Sequence, residues 1–271
     1  MNRPLQRRGG RNHPGRTGSG FSIEVVQNSH YAQRIKGSPF TLVERGIDED
    51  PVVLVGMQLT IGLLTNNTLA PIDVEFWLID AEGREMSFAG SGPVPAATTV
   101  PVILQFTPQI TAWVLAPGER VELRITAGDP NVVDGFWWWP NKQIIASPLV
   151  TVRKLMNTTS FEDVIVPPPG VSHVSPGFVF EGPFVGATLF NYSPNPTTAD
   201  VVLETEDGDF VLETAVAVGA NGVTALMQNF FGGWGVSSPQ KLKVRLGSVP
   251  VGGDVVFAGC YQEMDVNPTA E

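Results

Sequence analysis

One β-hairpin pattern occurs twice in the chain, and this duplication constrains the fold more than any other feature. Residues 61–83 and 186–208 can be aligned over their whole length without a gap. The alignment pairs Leu64 with Leu189, Asn66 with Asn191, Leu78 with Leu203 and Gly83 with Gly208. A second match, between PGERVELRI (117–125) and PQKLKVRL (239–246), aligns Arg124 with Arg245. Self-similarity at a long, nearly constant spacing is typical of tandem units, so the sequence predicts two β domains in series.

Length and composition agree with this prediction. A chain of 271 residues is enough for about two domains of ~100–200 residues each. The 29 glycines and 23 prolines exceed the usual share and indicate many turns between short strands, and no segment has a sustained helical period. The predicted fold class is all-β, with two tandem antiparallel β-sandwich (jelly-roll-like) domains preceded by an extended basic N-terminal arm.

The predicted domains are an arm at 1–37, a first β-sandwich at 38–146 and a second at 147–271. A Ser-Pro dipeptide followed by an apolar run begins each sandwich, at Ser38 and at Ser147. The prolines of 167–170 are predicted to form a loop inside the second sandwich.

The long apolar run at 52–64 predicts a single strand that is buried on both faces and bent at a glycine. The Asp-Gly step in 206–209 predicts a tight hairpin turn. An arm-like strand is expected between 21 and 35. The other predicted strands are 40–44, 73–79, 100–106, 120–126, 135–145, 187–191, 200–205, 210–218, 242–246 and 254–263.

Charge divides the chain into two unequal parts. The first 20 residues contain no acid and five arginines, which are Arg3, Arg7, Arg8, Arg11 and Arg16. Removing these five from the 17 basic residues leaves 12 basic and 27 acidic residues, a net charge of −15. The arm has too little apolar surface to fold alone. Its arginines are expected either to contact phosphates of nucleic acid or to dock on acidic patches of a partner subunit.

Little in the sequence indicates chemistry. Cys260 is the only cysteine, which excludes an intrachain disulfide and a thiolate metal cluster. No catalytic, phosphate-binding or metal-spaced motif occurs, so we expect a protein that is not an enzyme and needs no metal or other cofactor. The chain has no apolar signal region and no run of 18 apolar residues. We therefore expect neither a signal peptide nor membrane insertion.

Aromatic residues form two notable groups. Trp137, Trp138 and Trp139 follow one another, so alternation in a strand would turn adjacent indoles to opposite faces. They can fill a core, form a protein contact or stack on sugar rings. Phe230, Phe231 and Trp234 predict a loop anchored by aromatics at a contact between subunits.

Two segments carry a resemblance to a known class. LTIGLLTNNTLAPIDVEFWLIDAEG (59–83) followed by VLAPGERVELRI (114–125) resembles the small tandem β-sandwich repeats of tailed-bacteriophage virion proteins, of the head-decoration and head–tail accessory types. In the second half ATLFNYSPNPTTADVVLETEDG (187–208) and SPQKLKVRL (238–246) correspond, although the Pro-Gly step is missing. The resemblance covers strands and turns and transfers no site residues.

Three hypotheses on function follow. The first is a structural virion protein, a head decoration, minor capsid or head–tail accessory protein that docks on major capsid or connector subunits through its arm and sheet edges. It would be made in the host cytoplasm and form a homo-oligomer. The second is a main jelly-roll capsid protein whose arm binds the genome. The third is a carbohydrate-binding adhesion module that uses Trp137, Trp138 and Trp139.

Overall fold

Every regular element in the described part of the chain is a β-strand. A computed structural model describes residues 25–27, 32–36, 38–48, 52–55, 62–102, 105–106, 112–127, 133–138, 142–145, 149–174, 187–227 and 234–265. The all-β class predicted from the sequence is thereby confirmed. These residues include no helix that could span a lipid bilayer.

The described residues form 23 strands, and all the ladders between these strands are antiparallel. Those of the first half are β1 (Val25–Gln27), β2 (Ala32–Lys36), β3 (Phe40–Glu44), β4 (Val52–Val55), β5 (Gly62–Asn66), β6 (Ile72–Ile79), β7 (Glu85–Val94), β8 (Thr98–Val102), β9 (Gln105–Phe106), β10 (Ala112–Leu115), β11 (Arg120–Ala127), β12 (Val133–Trp138) and β13 (Lys142–Ile145). Those of the second half are β14 (Leu149–Met156), β15 (Glu162–Ile165), β16 (Val171–Val174), β17 (Ala187–Asn191), β18 (Thr197–Thr205), β19 (Gly208–Val218), β20 (Gly222–Ala225), β21 (Gly235–Ser237), β22 (Lys241–Leu246) and β23 (Val255–Asp265).

Eight strands of the second half are connected as a jelly roll. One sheet contains the order β14-β23-β16-β21, and the other runs β15-β22-β18-β19. Among these eight, the first strand therefore pairs with the last, and the second with the seventh, as two Greek keys require. Strands β17 and β20 extend the first sheet. Leu189 and Phe257 from this sheet meet Val201 and Val244 from the other in one apolar core.

The first half repeats this connection with one difference. Its second sheet contains β3-β11-β6-β7, which corresponds strand for strand to β15-β22-β18-β19. Its other layer is split into β1-β13-β4-β10 and β2-β12-β5-β8. The pairs β1 with β2 and β12 with β13 take the places of the single strands β14 and β23. The sheets of the first half use strands β1–β13 and those of the second use β14–β23, while the domain boundaries themselves stay a prediction.

The predicted long strands need correction. Residues 52–64 do not form one bent strand, because β4 and β5 belong to different sheets and residues 56–61 lie outside the described part. Residues 135–145 and 100–106 are likewise each divided between two sheets. A run of apolar residues satisfies either layer equally well, so its composition does not show where the chain leaves one sheet for the next.

Residues 25–27 and 32–36 of the predicted arm contribute to the sheets. Strand β1 pairs with β13, with Val25 opposite Ile145, and β2 pairs with β12, with Ile35 opposite Gly135. The arm-like strand expected between 21 and 35 thus corresponds to two strands in two sheets. The first 24 residues, with all five arginines, lie outside the described residues, so their role stays a prediction.

A buried asparagine fixes the turn between β5 and β6. Asn66 is fully buried, and its Oδ1 accepts a hydrogen bond from the backbone N–H of Thr68 at 2.9 Å. Its Nδ2 donates to the carbonyl oxygens of Ala70, Val94 and Pro95 at 2.8, 3.1 and 3.1 Å. The side chain therefore ties its own turn to the far end of β7, and the bonds compensate its burial.

The second sandwich contains the same device. Asn191 is also fully buried, and its Oδ1 accepts from the backbone N–H of Ser193 at 2.9 Å. Its Nδ2 donates to the carbonyl oxygens of Asn195 and Gly219 at 2.8 and 2.9 Å. The predicted equivalence of Asn66 and Asn191 is confirmed as an equivalence of hydrogen bonds.

We expect Asn66→Ala to lower the free energy of unfolding by about 1–3 kcal/mol, because buried carbonyl and N–H groups lose their partner. Asn191→Ala should have a comparable effect. Leu69→Ala is the control in the same turn, since Leu69 is 98% exposed, and it should change stability by less than about 0.5 kcal/mol. Urea denaturation measures all three, and equal effects of Asn66→Ala and Leu69→Ala would contradict the role of the asparagine.

Candidate functional site

The two sandwiches share a layer that is buried on both faces. In β17, Leu189 faces the second core and the adjacent Phe190 belongs to the core of the first sandwich. In β23, Phe257 faces the second core, whereas Val256 and Ala258 belong to the first. Because side chains alternate along a strand, each of these strands serves two cores. The junction between the sandwiches is therefore a continuous apolar contact.

A bidentate ion pair lies at this junction. Arg153 on β14 donates from Nε to Oε1 of Glu119 at 2.6 Å and from Nη2 to Oε2 at 2.8 Å. The same Nη2 donates to the carbonyl oxygen of Val114 at 3.0 Å. Glu119 is only 2% exposed, and its Oε2 also accepts from the backbone N–H of Ala116 at 2.8 Å. Two charges that are removed from water in this way stabilise only as a pair.

The turn that presents Glu119 depends on glycine. Gly118 has a φ of +81°, a region that favours residues without a side chain. A Cβ at this position would also lie 3.2 Å from the Cβ of Ala81. The backbone N–H of Gly118 donates to the carbonyl oxygen of Arg45 at 2.8 Å. Residues 116–119 thus form a turn that aims its glutamate at the second sandwich.

A second ionic contact bridges the halves nearby. Arg84 donates from Nε to Oδ2 of Asp80 at 2.6 Å and from Nη1 to Oδ2 of Asp254 at 3.0 Å, and its guanidinium lies 5.5 Å from the ring centre of Tyr192. Burial works against the charge of Arg84, but the hydrogen bonds to Asp80 and Asp254 outweigh it and raise its pKa. Arg84 therefore remains charged and holds two loops together.

Between these contacts lies a cavity of about 230 Å³. Its lining includes Arg84, Glu119, Arg153 and Tyr192. Burial, reinforced by Asp80 and Glu119, raises the pKa of the Tyr192 phenol, which therefore stays neutral. Burial likewise raises the pKa of Cys260 to about 12, so its thiol is unreactive at neutral pH. The charged groups around the cavity bind each other. Because these ion pairs connect the two halves, they hold the two sandwiches together.

The outer faces of the two equivalent sheets carry a repeated arginine. Arg124 donates from Nη1 to Glu85 at 2.7 Å and lies 4.8 Å from the ring centre of Trp77. Hydrogen bonding to Glu85 raises its pKa despite partial burial. Arg245 donates from Nε to Asp200 at 2.8 Å and lies 4.6 Å from the ring centre of Phe161. Each of the two aligned arginines therefore pairs with a carboxylate and lies over an aromatic ring, although the partners come from different strands.

His173 is a buried titratable group away from the junction. It lies on β16, is 2% exposed, and stacks on Tyr261 with ring centres 3.8 Å apart. Its Nε2 lies 3.3 Å from Oε1 of Glu263, but within the described part of the chain neither ring nitrogen makes a hydrogen bond. Burial lowers the pKa of His173, and the Glu263 carboxylate only partly opposes this. The imidazole is therefore neutral in the folded chain near pH 7.

The residues singled out in the sequence are placed as follows. Trp137 and Trp138 lie on β12, where Trp137 is opposite Gln33 and Gly62. Trp139, Phe230, Phe231 and the arm arginines lie outside the described residues. Trp234 is partly buried against the second core. The interface and sugar-stacking hypotheses for these residues stay predictions.

Sequence reasoning missed the residues of the junction. Arg153 appears in the sequence as one cation within the apolar strand LVTVRKLM (149–156), and Glu119 as part of a turn. The available signal was a difference between the repeats, because the place of Glu119 is taken by Gln240 in the second.

Within the described residues, no group of three or more His, Cys, Asp or Glu side chains is arranged to hold a metal ion.

Comparisons with known proteins give weak likenesses. No protein-family model and no curated protein sequence matches the chain. Among solved structures, it is similar to the STIV MCP, a viral major capsid protein, with 14% identity and a TM-score of 0.34 over 89% of this chain and 95% of that one. It is also similar to the CBM22-1–CBM22-2 tandem domain of Paenibacillus barcinonensis Xyn10C, with 11% identity and a TM-score of 0.26 over 92% of each chain.

A third similar structure is the PBSX exported protein XepA, with 9% identity and a TM-score of 0.22 over 90% of this chain and 85% of that one. A weak likeness to viral structural proteins fits the resemblance noted in the sequence. TM-scores of 0.22 to 0.34 do not establish a common fold or a function.

We expect Arg153→Ala to lower the free energy of unfolding by about 3 kcal/mol, because it leaves the buried Glu119 without its counter-charge. Adding Glu119→Gln should restore part of the loss, since the amide oxygen can still accept from Ala116. Arg245→Ala, which breaks an ion pair with a 45% exposed arginine on an outer face, should cost about 0–1 kcal/mol. Urea denaturation compares the variants, and equal losses for Arg153→Ala and Arg245→Ala would contradict the role of the junction.

His173 should make folding sensitive to acid. The pKa of His173 is lower in the folded chain than in the unfolded chain. Above about pH 6.5 the imidazole is neutral in both states, and as the pH falls below that value, protonation of the unfolded chain lowers the free energy of unfolding. His173→Phe keeps the stacking on Tyr261 and should lose less stability between pH 7.5 and 5 than the wild type. Glu263→Gln should lose more stability than the wild type over the same pH range, because the Glu263 carboxylate favours the protonated ring of His173. Thermal unfolding across this pH range provides the measurement. If stability fell equally with pH in the wild type and in His173→Phe, the role of His173 would be contradicted.

Proposed function

We propose that this chain is a non-enzymatic structural protein of a virion. The observation that carries the proposal is a pair of jelly rolls joined through a layer that is buried on both faces. Jelly rolls form viral capsid, lectin and cupin domains. In this chain the charged groups of the junction are used to hold the two sandwiches in a fixed relation, which suits a building block that must keep its shape when neighbours bind it.

Its proposed place is the shell, as the main capsid subunit. The sheet that contains β3-β11-β6-β7 and the sheet β15-β22-β18-β19 share the order of four strands, and each carries an arginine over an aromatic ring. One chain therefore offers two comparable surfaces in a fixed orientation. Repetition of similar contacts is what closed, symmetric assemblies require, so we expect a homo-oligomer built from these surfaces.

A second candidate is an accessory role as a head decoration, minor capsid or head–tail protein that docks on major capsid or connector subunits. The observation that favours it is a difference between the sandwiches. Phe210 on β19 is 64% exposed, whereas Met86, its counterpart on β7, is 3% exposed. The exposed apolar surface at Phe210 has no equivalent at Met86 in the first sandwich, and such a difference suits attachment to a different protein.

The test is light scattering after size-exclusion chromatography, with absorbance at 260 and 280 nm and electron microscopy of the same fractions. If the proposal is correct, the 29.1 kDa chain forms closed particles of many copies. A small oligomer of fixed size would favour the accessory role. A chain that stays monomeric over a wide range of concentration and salt would overturn both. Nucleic acid in the particles, absent from those of a variant that begins at Phe21, would indicate that the arm binds the genome.

A further inference from the structure

The second sandwich has a sheet edge that is open to a partner strand. Strand β19 is the last in the order β15-β22-β18-β19. Its counterpart β7 is followed by one more strand, β9, where Ala89 lies opposite Phe106. Within the described residues no strand pairs with the outer side of β19. Such an edge presents backbone N–H and C=O groups that can pair with an added strand.

Apolar side chains line the start of this edge. Phe210 is 64% exposed and Val211 is 56% exposed. Pairing with β18 places Phe210 opposite Leu203, as Met86 lies opposite Leu78 in the first sandwich. Met86 is buried there. An exposed phenylalanine and valine on an open edge are features that proteins usually avoid unless a partner covers them.

The charge around this edge restricts the partner. The turn between β18 and β19 carries Glu206 and Asp207, and Asp209 follows at the start of β19; all three side chains are exposed. Two copies of this edge that cover each other's Phe210 and Val211 would bring their acidic turns close together, and this like-charge contact destabilises strand pairing. The partner must therefore be basic and able to extend. The first 20 residues of the chain have five arginines, no acid, and two large apolar side chains, Met1 and Leu5.

We propose that residues 1–20 of one copy pair with β19 of a neighbouring copy. The arginines of the arm bind the acidic turn at 206–209, and its apolar side chains cover Phe210. Twenty residues in extended conformation reach roughly 70 Å, which is enough to cross to a neighbour. The inference rests on the proposed assembly of many copies and names the contact that ties them together.

Disulfide trapping tests this contact in the full-length chain. One chain carries Arg8→Cys and a second carries Val211→Cys, and the two are mixed under mild oxidation. The natural Cys260 does not interfere, because it is buried and its pKa is raised to about 12. The matched control is Ser87→Cys, an exposed position on β7 that lies opposite Trp77 as Val211 lies opposite Val202. Labelling with a thiol-reactive dye shows whether the two edge cysteines are equally accessible.

We expect the Arg8→Cys chain to link to Val211→Cys about tenfold more than to Ser87→Cys, and the yield to fall as salt is raised. Adding Glu206→Lys, Asp207→Lys and Asp209→Lys to the Val211→Cys chain should reduce the linkage by a similar factor. Equal yields at both positions, or Val211→Cys chains that link to each other instead, would overturn the inference. So would an arm that binds nucleic acid and leaves the edge unlinked.

The outcomes separate this inference from the proposed function. Particles of many copies without the linkage to Val211→Cys would reject the contact and leave the virion role intact. Linkage between two chains that form no larger particle would support the contact and contradict the shell role.

Discussion

A layer that is buried on both faces is the constraint on which this structure depends. Leu189 and Phe257 point into one core while Phe190, Val256 and Ala258 point into the other. No residue on β17 or on the first half of β23 faces water. A charged group beside this layer is costly to bury unless it is paired within the protein. Arg153 meets this requirement with Glu119, and Arg84 meets it with Asp80 and Asp254.

The parts of the fold that the sequence predicts are those fixed by local geometry. The aligned asparagines, the hairpin at Gly208 with a φ of +119°, and the aligned arginines each need one residue type at one place. The duplication makes these positions visible because both copies keep them. The predicted strand at 52–64 was wrong for the opposite reason. Its apolar residues suit a buried strand in either layer, and the change from one sheet to the next depends on distant partners such as β10 and β12.

The junction could not be predicted because its residues look like ordinary surface charges. Glu119 and Gln240 occupy the same turn position, and each accepts a hydrogen bond from a backbone N–H three residues earlier, at 2.8 and 3.1 Å. The turn itself needs only an acceptor oxygen, which an amide supplies as well as a carboxylate. A charge is needed at Glu119 because this turn faces Arg153. Tertiary contact, which a single sequence does not display, thus decides between glutamate and glutamine.

This comparison shows how two copies of one fold acquire different roles. Positions that serve the fold are kept in both sandwiches, as Asn66 and Asn191 are. Positions that face different surroundings diverge, and Glu119 diverges from Gln240 because only the former meets the other sandwich. By the same reasoning, the replacement of buried Met86 by exposed Phe210 reflects different surroundings at the two sheet edges. Phe210 is 64% exposed in the described part of the chain, and burial of this exposed part would stabilise the chain by roughly 1–2 kcal/mol, a gain that a partner can supply.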